Sequence, residues 1–217
     1  KSLAGGKNEA LAAARYFSYY GGAADKLEGS MIPLGAGYVK RLTELITANY
    51  MERDIRYINT GIGGNKITDL KGRWQEDMLD HKPDRLSIMI GINDLHSYLR
   101  DPENGVGPDL YAEIFDELLD VTKKELGCPV VLITPFYISR EAPEDPFQKQ
   151  VMEILPEYIG TMEKMSRKYD TRLVNTQQVF QEHLKYREPE EFRPEPVHPY
   201  PIGHAIVACA VYEELDK

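Results

Sequence analysis

From about residue 40 onward the chain alternates short β-branched runs with longer stretches of helical periodicity, and this alternation limits the fold more than any other feature. Within 39–50, Val39, Leu42, Leu45 and Ile46 share one helical stripe with charges between them. Ile55-Arg56-Tyr57-Ile58-Asn59 reads as a strand and runs into Thr60-Gly61-Ile62-Gly63-Gly64. A helix is predicted over 67–79, with Ile67, Leu70, Trp74 and Met78 on one side. Leu86-Ser87-Ile88-Met89-Ile90 is a nearly unbroken apolar run, which is how a strand covered on both faces of a parallel sheet reads. Helices over 110–126, 146–169, 177–184 and 201–215 alternate with strands over 129–133 and 172–175. Strands separated by helices of this length pair in parallel through right-handed crossovers, so the expected domain is a three-layer α/β/α sandwich.

Residues 1–36 do not follow this rhythm. The segment 9–14 favours helix, and 16–20 has the aromatic content of a strand or continues that helix. A single domain over 1–217 is expected, because the Pro/Glu-rich stretch 187–196 leaves too little chain beyond it to fold alone.

Composition removes several function classes. The chain carries 26 Lys+Arg against 35 Asp+Glu and no basic run, which argues against nucleic-acid binding. With 42% hydrophobic and 28% charged residues it has the balance of a soluble globular protein. No apolar stretch approaches the roughly 18 residues needed to cross a bilayer, so no membrane partner is expected. Lys1 to Gly6 lacks a signal-peptide core, though a processed chain would have lost one. Cys128 and Cys209 form no disulfide framework and are expected to be buried free thiols, consistent with a cytoplasmic protein.

In an open parallel sheet, functional groups gather beyond the carboxyl ends of the strands. Three such places carry unusual residues: Asn59 to Asn65, Gly91-Ile92-Asn93-Asp94, and Glu195-Pro196-Val197-His198-Pro199 just ahead of the last helix. Each has a plainer reading. The Gly-rich loop lacks the spacing of a phosphate cradle and serves equally as a tight turn. Asn93-Asp94 could cap a helix, and Glu195 with His198 could be an exposed ion pair. Glu195, His198 and His204 together fit no familiar metal-ligand spacing. Taken together, a Gly amide and an Asn amide can donate to a developing oxyanion, while a His with a carboxylate can act as general base. This is the equipment of acyl transfer, given a serine.

Gly91-Ile92-Asn93-Asp94 resembles the GxND block of SGNH (GDSL-type) hydrolases. Asn59 to Asn65 resembles their second block, and Glu195 to Pro199 their last, Asp-x-x-His-Pro. Residues 69–77, 87–94, 134–137 and 174–177 are similar to the acetylxylan and acetyl-xylo-oligosaccharide esterase branch, over about residues 35–217. The resemblance implies a five-stranded flavodoxin-like sheet and no metal or organic cofactor. It assigns His198 as general base, Glu195 as its orienting partner, and Gly64 and Asn93 as the oxyanion hole. The implied partner is a small-molecule acyl ester or acetylated sugar, and members of that branch commonly self-associate, so a homo-oligomer is an expectation.

Two departures stand out. Glu195 replaces the family's Asp, and its extra methylene shifts the carboxylate by about 1.5 Å. No Gly-Asp-Ser occurs anywhere. Instead residues 13–35 resemble an aldehyde dehydrogenase segment, as in a chimaeric gene or a replaced N-terminus. Ser30, within Glu28-Gly29-Ser30-Met31, is the candidate nucleophile, and Ser18 and Ser2 are its competitors. If 16–20 forms the first strand, Ala23 stands in the nucleophile's place. The expected activity is a serine carboxylester hydrolase removing acetyl groups from small glycosides. The alternative is an inactive SGNH-like protein or carbohydrate-binding scaffold.

Overall fold

The computed structural model describes residues 9–14 and 37–216. Five parallel strands run in the order β2-β1-β3-β4-β5: β1 Glu9–Ala14, β2 Ile55–Asn59, β3 Arg85–Met89, β4 Val130–Ile133 and β5 Arg172–Val174. This is the flavodoxin-like order, whose reversal of direction falls between β1 and β3. The helices are α1 Tyr38–Asn49, α2 Ile67–Asp77, α3 Ile92–Arg100, α4 Pro108–Glu125, α5 Pro146–Tyr169, α6 Thr176–Leu184 and α7 Pro201–Asp216. The contacts group α1 and α6 with α7, and α2, α3 and α5 with one another through α4 and α5, completing the three layers.

The N-terminal segment corrects the sequence reading. Glu9–Ala14 is an interior strand, second in the sheet, not a helix. It pairs from Glu9↔Ile55 to Ala13↔Asn59 on one side and from Leu11↔Arg85 to Ala14↔Ile88 on the other. Three consecutive alanines favour a helix in isolation by only a few tenths of a kcal/mol each over ordinary residues. A ladder on both edges outweighs that local preference. With the place between β2 and β3 filled by β1, 16–20 is not required as a first strand, and Ala23 loses the premise that made it the nucleophile's counterpart. Residues 16–20, 23 and 30 themselves lie outside the described residues.

Elsewhere the hydrophobic pattern fixes the elements. All five residues of β3 are buried, Arg85 and Ser87 included, as expected of a strand covered on both faces. Helix α2 buries Ile67, Leu70 and Trp74, and the Trp74 indole donates to Thr122 Oγ1 of α4 at 3.2 Å. Helix α3 follows β3 after only two residues and was not anticipated beyond a cap at Asn93-Asp94. At that junction Gly91 has φ +129°, and a β-carbon there would lie 3.0 Å from the Tyr111 hydroxyl and 3.1 Å from Pro135. Backbone conformation and space both demand glycine at this strand-to-helix turn.

The cysteine expectation also needs correction. Both thiols are free, but Cys209 is exposed on α7 and Cys128 only half-buried, its pKa raised by burial.

Candidate active site

The loop after β2 is built to hold a fixed shape. Asn59 Oδ1 accepts the Gly61 N–H at 3.2 Å, and Gly64 adopts φ +81°, a left-handed conformation open to glycine at little cost. Arg73 reaches back from α2 onto the loop that precedes it. Its guanidinium donates to the Thr60 carbonyl and to Asn65 Oδ1, both at 2.8 Å, and pairs with Asp77. One side chain therefore ties two points of the Gly64 loop to the following helix.

The loop after β3 grips the same segment from the other side. Asn93 Nδ2 donates to the Asn65 carbonyl at 3.1 Å, which uses one of its two amide hydrogens. Asp94 is wholly buried, and its Oδ1 accepts the Ile67 N–H at 2.8 Å. Burial raises the Asp94 pKa to about 7, against the lowering effect of that backbone bond and of Lys66. Its Oδ2 is buried without a hydrogen-bond partner.

Glu195 and His198 close a tight turn in which the His198 N–H donates to the Glu195 carbonyl at 3.1 Å. This turn sets the two side chains on one side, and Glu195 Oε1 lies 2.6 Å from His198 Nδ1. The longer Glu side chain thus makes the contact expected of the family's Asp. Ile138, just past β4, anchors the turn through both backbone groups. Its N–H donates to the Pro196 carbonyl at 2.8 Å, and its carbonyl accepts from Arg193 Nε at 2.6 Å.

His96, one helical turn beyond Asn93, connects the two halves. Its ring packs against Phe147 at 5.5 Å and edge-on to Tyr137 at 6.1 Å. Burial, then the charges of Arg100 and His198, lower its pKa to about 4, while Glu195 opposes them. The imidazole is therefore neutral at ordinary pH, and the field of the Glu195–His198 pair reaches the helix that carries Asn93.

The structure thus organises His198, Glu195, Gly64 and Asn93 beside the carboxyl ends of the sheet. Ser30, together with Ser18 and Ser2, lies outside the described residues. His204 is buried at the start of α7 and does not join Glu195 and His198 as ligands: among the described residues no group of His, Cys, Asp or Glu side chains could hold a metal ion. Sequence reasoning missed the parts played by Arg73, Asp94 and His96. Of these, only Asp94 carried a local signal, by standing beside Asn93.

A parallel 2-1-3-4-5 sheet with a carboxylate-oriented histidine and an Asn-bearing loop at adjacent strand ends defines the architecture of an acyl hydrolase. The GDSL-like lipase/acylhydrolase family model matches residues 22–206, and the chain belongs to that family. It is 38% identical over 191 residues to an acetylxylan esterase from Geobacillus stearothermophilus, covering 87% of this chain and 84% of the relative. The crystal structure of an acetylxylan esterase from that organism superposes with a TM-score of 0.84 at 34% identity, covering 100% of this chain and 97% of the other. Catalytic mutants of that esterase replace a serine, an aspartate or a histidine with alanine. An alpha/beta hydrolase enzyme from the metagenome of Lake Arreo, Spain, superposes with a TM-score of 0.79 at 28% identity, covering 98% of this chain and 97% of the other. Among the described residues no helix is long and apolar enough to cross a membrane.

Proposed function

We propose that this protein is a serine carboxylester hydrolase that removes acetyl groups from small glycosides, xylo-oligosaccharides foremost. The observation that carries this reading is the 2.6 Å contact between Glu195 Oε1 and His198 Nδ1. It fixes the imidazole tautomer with a proton on Nδ1, leaving Nε2 as the base toward a hydroxyl. His198 takes the serine proton as the oxygen attacks the acetyl carbonyl, then returns it to the departing sugar hydroxyl. Water repeats the sequence on the acyl-enzyme. The Gly64 amide and the second hydrogen of Asn93 Nδ2 receive the charge that develops on the carbonyl oxygen. The acetylxylan esterase relatives support the acetylated-sugar substrate.

Ser30 is the nucleophile in this reading. The end of β1 at Ala14 favours a second assignment, Ser18, which stands four residues beyond that strand end in sequence. In the SGNH plan that the chain resembles, the nucleophile follows directly on the first strand. Labelling with a serine-directed fluorophosphonate, followed by peptide mass spectrometry, tests both. An adduct on Ser30 or Ser18 names the nucleophile. Absence of any adduct and of p-nitrophenyl acetate hydrolysis would leave the chain a non-catalytic scaffold.

A further inference from the structure

Two consecutive residues, Asn93 and Asp94, hold two nearby backbone groups of one segment. Asn93 Nδ2 takes the Asn65 carbonyl at 3.1 Å, and Asp94 Oδ1 takes the Ile67 N–H at 2.8 Å. Between them sits Lys66, whose own N–H is held by Asp69 Oδ2 at 2.8 Å. The segment 65–67 is thus gripped from α3 at both ends, immediately after Gly64. Any displacement of the Asp94 carboxylate moves the start of α2, and with it the loop that bears Gly64 and the carbonyl that aims Asn93.

We infer that Asp94 is a positioning residue of the oxyanion hole, locking the Gly64 loop to Asn93 through the first amide of α2, and that its ionisation sets how firmly that lock holds. This rests on the reading of Gly64 and Asn93 as oxyanion donors. A carboxylate is a stronger acceptor for the Ile67 N–H than a neutral carboxyl, because charge-assisted hydrogen bonds are roughly twice as strong. Asp94 is buried and its second oxygen has no partner, which disfavours the carboxylate, and burial brings its titration to about pH 7. The groups that act on it are Lys66 and Asp69 from the α2 end, Tyr111 of α4 and Tyr158 of α5. Both tyrosines remain neutral phenols at this pH, since burial raises their pKa further. Tyr111 donates to the Ile90 carbonyl and Tyr158 to the Val106 carbonyl, so neither offers Asp94 a proton.

The test is an NMR pH titration of the Asn93 side-chain amide, identified by its loss in Asn93→Ala. In the wild-type protein its resonance is expected to shift with a midpoint near pH 7, and in Asp94→Asn to stay flat over that range. A flat wild-type response, or one that persists in Asp94→Asn, overturns the inference, since the group titrating is then another. Should Asp94→Asn not fold, exchange of the Ile67 amide in the wild type decides. After correction for intrinsic rates, greater protection at pH 8 than at pH 6 supports the lock, and equal protection overturns it. These readouts need no turnover, so a wild-type protein inactive on every ester would defeat the functional proposal and leave this result standing. In the active enzyme, Asp94→Ala is expected to lower kcat roughly 10- to 100-fold with KM within about twofold, while Asp94→Asn, which keeps an acceptor for the Ile67 N–H but not the charge, recovers only part of kcat.

Discussion

His198 Nδ1 and Glu195 Oε1 stand 2.6 Å apart across a turn whose Pro196 carbonyl accepts the Ile138 N–H, while the Arg193 side chain just ahead of the turn donates to the Ile138 carbonyl. The carboxylate is itself exposed, with 58% of its side chain open to solvent against 24% for His198. Its value is geometric, because solvent screens the charge. Glu195→Asp should therefore fail as a conservative change: retracting the carboxylate by about 1.5 Å breaks the contact and lowers kcat roughly tenfold or more at similar KM. Glu195→Gln should cost at least as much by disturbing the tautomer. Steady-state kinetics on p-nitrophenyl acetate check both, and an Asp variant as fast as wild type would show that the longer side chain is not required.

Asn93→Ala separates chemistry from stability. Its bond to the Asn65 carbonyl is partly solvated, and loss of such a bond costs about 1 kcal/mol. Loss of an oxyanion donor costs about 100- to 1,000-fold in kcat. The variant is expected to melt within a few degrees of wild type and be nearly inactive. A parallel loss of both properties would count against the oxyanion role.

Arg73→Lys tests the loop strap. An ammonium cannot reach the Thr60 carbonyl, Asn65 Oδ1 and Asp77 together from one planar group as the guanidinium does. The expected outcome is faster amide exchange in 60–65 and a kcat lowered several-fold, with exchange in β3 unchanged. Unaltered exchange in the loop would remove Arg73 from the support of Gly64.

His96 makes the fold sensitive to acid. Its pKa is about 4 in the folded protein against 6.5 for the free side chain, because burial and the charges of Arg100 and His198 disfavour the imidazolium. The unfolded chain binds this proton first, so stability is lost as pH falls from about 6.5 toward 4 and is unaffected above that window. Asp94, whose burial raises its pKa to about 7, binds its proton more tightly in the folded protein and acts in the opposite sense over this window. His96→Phe should therefore raise the melting temperature near pH 4.5 relative to that near pH 6.5, compared with the same difference in the wild type. An unchanged difference in the variant would place the acid sensitivity elsewhere.

Much of the fold could be read from sequence because its pattern is set locally. The run at β3 is apolar at nearly every position since helices cover both sides, and the stripe of Ile67, Leu70 and Trp74 announces the buried side of α2. His198 and Glu195 were legible for a similar reason: three residues of separation suffice to close their turn. Strand β1 was not. Its alanines carry a helical preference, and only the two neighbouring strands, distant in sequence, make them extended. Asp94 was hidden as a working part because its partner is a backbone amide, and Arg73 because its partners Thr60 and Asn65 lie in a loop whose shape no side-chain pattern reveals.

The place of β1 between β2 and β3 also has a consequence for how the chain comes together. It leaves the ribosome before either strand that flanks it, and its two edges wait for partners at Ile55 and Arg85. Until β3 has been made, β1 keeps an open edge with unsatisfied amides, the kind of edge that invites pairing with another chain. Synthesis of this protein therefore passes through a window in which an interior strand stands exposed along one edge, and that window closes when residues 85–88 emerge.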